Sequence, residues 1–169
     1  MNADAASHAR VRIQTADFDL GAEIAALRAQ DRRVGAICSF VGTVRDRNAP
    51  ATDAVAPVLA LELEHYPGMT EKAIEAMIDA AQRRFAIYAA RVIHRIGLLE
   101  PLDQIVLVAV TSAHRRESFQ ACEFLMDYLK TQAPFWKKER TAQGECWVDA
   151  RVADDAALTR WGITASNLG

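Results

Sequence analysis

Apolar residues recur along this chain in distinct rhythms, and each rhythm marks a different kind of element. The plainest is Ala73, Ile74, Met77, Ile78, Ala81 and Phe85, spaced at three and four residues, which predicts an amphipathic helix capped by Thr70. Phe119, Cys122, Met126 and Leu129 repeat that spacing and predict another helix over about 115–130, with Ser112 as its candidate cap. A shorter helix over 20–29 carries Ile24 and Leu27 on one face. Strict alternation appears where Leu59, Leu61 and Leu63 interleave with Ala60, Glu62 and Glu64, the pattern of a strand with one wet face. Residues 11–14, 91–96 and 104–111 read as further strands, the last nearly all apolar.

Residues 34–44 carry Val34, Ile37, Phe40, Val41 and Val44 on both faces, which predicts a central strand, with Gly42 marking a bulge or close approach. Residues 46–57 combine two prolines with turn formers and no periodicity, so a long loop is expected there. Residues 145–152 alternate and close the series as a strand, with a short helix expected over 153–161. Hairpin-length connections mixed with crossover-length ones predict an α+β fold, helices packed on a largely antiparallel sheet.

Composition narrows the function. With 169 residues, one domain can bury a substantial core without staples. A net charge of −2 gives no overall basic field, which disfavours nucleic acid as the main partner. Cys38, Cys122 and Cys146 are odd in number and lack a C-x-x-C pair, against a disulfide framework or structural zinc, and a reducing cytoplasm fits them. Residues 1–9 are small and polar with no apolar leader, and are expected to be disordered; no apolar run is long enough for a membrane span. The four histidines, His8, His65, His94 and His114, are scattered, and nothing has metal-ligand spacing.

The chemistry concentrates at segment ends. Asp127-Tyr-Leu-Lys-Thr-Gln-Ala-Pro-Phe-Trp-Lys-Lys138 sets three lysines and two large aromatics around one proline. Lys130, four residues after Met126, falls at the edge of the buried stripe. Pro134 disfavours helical geometry at Ala133, so the helix is expected to stop near Lys130 and the chain to turn before Trp136. A lysine held against apolar surface loses hydration and becomes a better base. The plain alternative is that these lysines snorkel from a helix end and complement its dipole. Arg45 and Arg47 stand where a strand meets the long loop, and His114, Arg115 and Arg116 where a helix begins; both positions suit anions. Taken singly, each of these is as well explained by surface ion pairs, and His65 by a strand-end histidine.

Four stretches together resemble the large, catalytic subunits of molybdopterin synthase: Gly35-Ala-Ile-Cys-Ser-Phe-Val-Gly-Thr-Val-Arg45, Leu61-Glu-Leu-Glu-His-Tyr-Pro-Gly-Met69, Ser112-Ala-His-Arg115 and the lysine-rich stretch 127–138. The resemblance runs from about Val11 to Trp161. It implies an α/β-hammerhead fold with an additional small antiparallel sheet, occupying 10–161 and followed by a tail over 162–169. It also implies a homodimer with a small ubiquitin-like sulfur carrier docked at each far end. The carrier's C-terminal Gly-Gly thiocarboxylate would donate sulfur to cyclic pyranopterin monophosphate, two transfers building the dithiolene of molybdopterin, with no cofactor and no molybdenum bound.

By position, the resemblance gives Lys130 and Lys137 the thiocarboxylate and the proton transfers, and Arg45 the clamping of the tail. Phe40 and Met126 would line the tail channel. His114, Arg115 and Arg151 would bind the substrate's phosphate and pterin from the neighbouring subunit. Lys138 receives no role, and Arg47 and Arg116 are weaker candidates. Two other readings of the residues stay open. One is a non-catalytic α+β module holding a phosphorylated ligand or RNA, for which stacking aromatics exposed on strands would speak; Phe135 and Trp136 instead flank a proline turn. The other is a scaffold that only dimerises.

Overall fold

Apolar on both faces, Gln104–Ser112 has to lie in the interior of a sheet, and it does. The computed structural model describes residues 9–46, 57–148 and 159–163. Among them are strands β1 (Val11–Gln14), β2 (Ala36–Thr43), β3 (Val58–His65), β4 (Ile87–Arg95), β5 (Gly97–Leu99), β6 (Gln104–Ser112), β7 (Phe135–Thr141) and β8 (Gly144–Val148). The helices are α1 (Leu20–Arg28), α2 (Met69–Arg84) and α3 (Arg115–Gln132). One sheet has the order β1-β4-β6-β2, with β1 parallel to β4 and the other pairs antiparallel. The second, β5-β3-β7-β8, is wholly antiparallel.

Odd and even positions of β4 and β6 face different helices. Leu107, Ala109 and Ile93 pack with Phe18 and Leu27 beneath α1. Val106, Val108, Val110, Ala90 and Val92 pack under α2 and α3, against Ile74, Met77, Ile78, Phe124, Leu125 and Leu129. On the α1 side the buried Arg91 donates to Glu23 at 2.7 Å, and Arg12 pairs with the same carboxylate. One shared carboxylate thus ties β1, α1 and β4. The second sheet has its own small core, Val44, Leu61, Leu63 and Leu99.

Several expectations change. The segment read as a central strand is β2, at the edge of its sheet, so Phe40 points to a surface and is 40% exposed. The register does slip between Gly42 and Thr43, as the bulge reading expects. A helix over 20–29 and one over 115–130 are found within a residue or two. Thr70 is no cap: Gly68 occupies that position at φ 81°, its N–H held by the Glu71 carboxylate at 2.7 Å. Ser112 does not cap α3 either, since His114 stands there and the Ser112 hydroxyl donates to the His114 carbonyl at 2.7 Å. The chain does turn at Ala133 and Pro134, but residues 135–141, for which no element was expected, form a full strand. The short β5 was not anticipated. Residues 1–8, most of the 46–57 loop, most of 153–161 and the tail from 164 lie outside the described residues, as do Arg47 and Arg151.

Candidate functional site

Edge strand β2 and helix α3 leave a groove of about 400 Å³ between them. Phe40 forms one wall, Met126 and Phe119 the other, and Lys130 stands at its end. Three of the residues assigned to the tail channel and the lysine pair therefore share one cleft. Phe119, expected in the buried stripe, is 61% exposed and overhangs the groove. Cys38 and Cys122 line it too, a pair that the sequence reading left without a role. Burial, and secondarily Cys38, push the Cys122 thiol upward, so it stays protonated at neutral pH. The two acids that line the groove are already committed: Arg160 bridges Asp127 at 2.6 Å and Glu123 at 3.0 Å, and Trp161 Nε1 donates to Asp127 at 2.7 Å.

Pro134 ends the helix as its chemistry requires. Ala133 is extended at φ −76°, ψ 127°, and the chain re-enters as β7 beside β3. Register then separates the two later lysines. Lys137 is paired with Leu63, which is 1% exposed, so it shares the inward face of the sheet, although its own side chain is exposed there. Lys138 is paired with Glu62 on the outer side, 2.7 Å from Glu145 and 5.4 Å above the Trp147 ring. The Glu145 hydrogen bond raises the Lys138 pKa, fixing its charge on a surface ion pair. Close to Lys137 is a buried histidine. The His94 ring stacks on Phe135 with centroids 3.8 Å apart, and its Nδ1 donates to the Arg95 carbonyl at 2.7 Å. Burial first, and then the positive field of Lys137 and His65, lower it to about 4. His65, a half-buried strand-end residue, sits 3.5 Å from Glu71.

Topology sorts the remaining cations. Because α3 runs back along β6, its C-terminal end lies over the end of the sheet where β2 finishes and Arg45 follows. Arg45 is exposed there, its neighbour Val44 fastened by backbone bonds to Asp103 and Leu102 at 2.9 Å each. His114 and Arg115 are exposed at the opposite end of α3. Fifteen helical residues at 1.5 Å rise put Arg115 roughly 22 Å from Lys130. One chain therefore carries Phe40, Met126 and Lys130 in one groove, with Arg45 beyond the end of β2, and His114 and Arg115 at the opposite end of α3.

Residues 13–132 match the model of the family described as MoaE protein. The chain belongs to the MoaE family. A "Molybdopterin synthase catalytic subunit" from Ralstonia nicotianae is 62% identical over 157 residues, 93% of this chain and 86% of that protein. A MoaE protein structure from Burkholderia ambifaria superposes with a TM-score of 0.77 at 58% identity, over 92% of this chain and 99% of that one. A Helicobacter pylori structure, described as a complex of subunits 1 and 2 of molybdopterin-converting factor, superposes at 0.68 with 19% identity over 85% and 92% of the two chains, a likeness of fold. The α+β architecture with two sheets is thus the family's own.

Proposed function

We propose that this MoaE-family chain is the catalytic subunit of a molybdopterin synthase, taking sulfur from the thiocarboxylated C-terminus of a small ubiquitin-like carrier. The acceptor is cyclic pyranopterin monophosphate, and two transfers complete the dithiolene. The observation that carries the reading is the groove in which Phe40 and Met126 lead to Lys130. A Gly-Gly tail has no side chains to obstruct such a cleft, and its thiocarboxylate would end at an ammonium group. Lys130 and Lys137 hold the anionic sulfur, and one of them supplies the proton as a substrate C–O bond opens. When the acyl–sulfur bond is hydrolysed, the carrier leaves as a carboxylate and the sulfur stays on the substrate. Arg45 clamps the tail.

The long separation of Arg115 from Lys130 supports a shared site. His114 and Arg115, with Arg151, would hold the phosphate and pterin for the lysines of a second copy, making a homodimer flanked by two carriers. No step here calls on a metal, and the cytoplasm, with its reducing thiol pool, suits three free cysteines.

The test is direct: thiocarboxylated carrier and cyclic pyranopterin monophosphate are mixed with the chain, and molybdopterin is measured by its fluorescent oxidation product. Product should require both proteins and disappear with Lys130→Ala in a folded variant. Full activity in that variant would remove Lys130 from the mechanism, and no product from the folded wild type would refute the function.

One observation favours the RNA-binding alternative. Trp136 and Trp147 are 45% and 54% exposed on the outer face of the second sheet, the placement that stacking aromatics would need. The cations on that face are committed, however, Lys138 to Glu145 and Arg140 to Glu62 at 2.8 Å. Phosphates would find few open charges there. Salt-sensitive binding of single-stranded RNA, lost on Trp147→Ala, would revive it.

A further inference from the structure

We propose that His94 is a positioning residue that sets where Lys137 stands relative to Lys130, acting through its stack on Phe135. The proposal rests on the sulfur-transfer reading above. The two lysines belong to different bodies. Lys130 rides on α3, which packs on the first sheet, whereas Lys137 rides on β7 of the second. Between the two bodies the chain offers only Ala133 and Pro134, so contacts across them must fix the spacing of the lysines.

Besides the packing of Ala133 and Phe135 against the first sheet's core, two specific contacts stand there. Thr70, fully buried in the first turn of α2, donates to the Pro134 carbonyl at 3.1 Å and accepts from the Tyr66 N–H at 3.0 Å. His94 of β4 lies flat on Phe135, with planes 18° apart. Phe135 and Lys137 are two residues apart on one strand and share a face, so displacing the first ring displaces the second side chain. The ring is also held from behind by the Arg95 carbonyl, and at 6% exposure has no room to swing. Its neutrality matters as much as its shape: with His94 lowered to about 4, no second cation is placed beside Lys137 at working pH.

The experiment compares steady-state kinetics of wild type, His94→Leu and His94→Phe, with the thiocarboxylated carrier and cyclic pyranopterin monophosphate as substrates. A misplacement near 1 Å at a reacting group costs about 100-fold. His94→Leu should therefore lower kcat by about 10- to 100-fold while the KM for the carrier, set by the groove on β2 and α3, moves less than about twofold. His94→Phe, which keeps the stacked ring, should recover to within about threefold of wild type. Wild-type kcat in His94→Leu, equal losses in both variants, or a raised KM with kcat unchanged would each overturn the proposal. If His94→Leu does not fold, Phe135→Leu removes the stack from its half-buried side and reads the same split. The double variant should be no worse than the poorer single one, and additive losses would count against a shared contact. Inactive wild type would overturn the sulfur-transfer reading and this inference together, whereas an active wild type with an indifferent His94→Leu overturns this inference alone.

Discussion

Acid should weaken this protein through His94 in a way that one substitution isolates. Free imidazole in an unfolded chain titrates near 6.5, while the folded ring, buried against Phe135 and facing the positive charge of Lys137, is lowered to about 4. Above 6.5 the ring is neutral in both states and contributes nothing to pH dependence. Between 6.5 and about 4 the unfolded chain binds a proton that the folded one refuses, so stability falls as the pH falls. Below about 4 both states are protonated and the loss levels off. The full difference of 6.5 − 4 corresponds to a ceiling of about 3 kcal/mol, of which about 2 kcal/mol is lost between about pH 7 and pH 5. Urea unfolding followed by tryptophan fluorescence, at those two pH values, should show wild type losing about 2 kcal/mol more than His94→Phe. Every other group is present in both proteins, so the difference between the two losses reports on His94. Equal losses would refute the reasoning, meaning that the ring is hydrated or charged in the folded state.

Three other outcomes follow from particular contacts. Lys137→Ala should reduce molybdopterin formation by about 100-fold or more, while Lys138→Ala, on the outer face and paired with Glu145, stays within about twofold in the same turnover assay. Glu23→Gln removes the carboxylate shared by Arg12 and buried Arg91 and should cost about 3–5 kcal/mol in urea unfolding; a change below about 1 kcal/mol would show the network to be replaceable. Gly35→Ala places its Cβ 2.4 Å from the Ala113 carbonyl oxygen, where only backbone can yield. It should cost about 1–3 kcal/mol and, by shifting the residues that lead into His114 and Arg115, raise KM for the pterin substrate while leaving KM for the carrier alone.

Where burial makes the pattern, the fold was legible in the sequence. The stripe of α2 and the two-faced apolar run of β6 were read directly, because helices and interior strands advertise themselves through what they hide. Strand β2 was misplaced at the centre because Phe40 is apolar for a different reason: it walls a groove instead of filling a core. β7 escaped notice because Lys137, Lys138, Glu139 and Arg140 show no apolar alternation, and its outer face is held partly by ion pairs with β3 and β8. Thr70 looked like a cap because caps and buried hydroxyl bridges use the same residue type.

The candidate site was legible by resemblance but not by pattern, and the lysine pair shows why. Lys137 and Lys138 are adjacent, and a strand sends adjacent side chains to opposite faces, so a slip of one residue in β7 would exchange their roles. Neither residue's own chemistry settles which faces inward. That is decided by where the strand begins, which depends on Pro134 breaking α3, on Thr70 grasping the Pro134 carbonyl, and on His94 receiving Phe135. Those partners lie 64 and 41 residues away from the positions they hold, in elements whose own patterns speak only of helix and core. The identity of the inward lysine is therefore a tertiary fact, and Thr70 and His94 specify the site as much as the lysines that would do its chemistry.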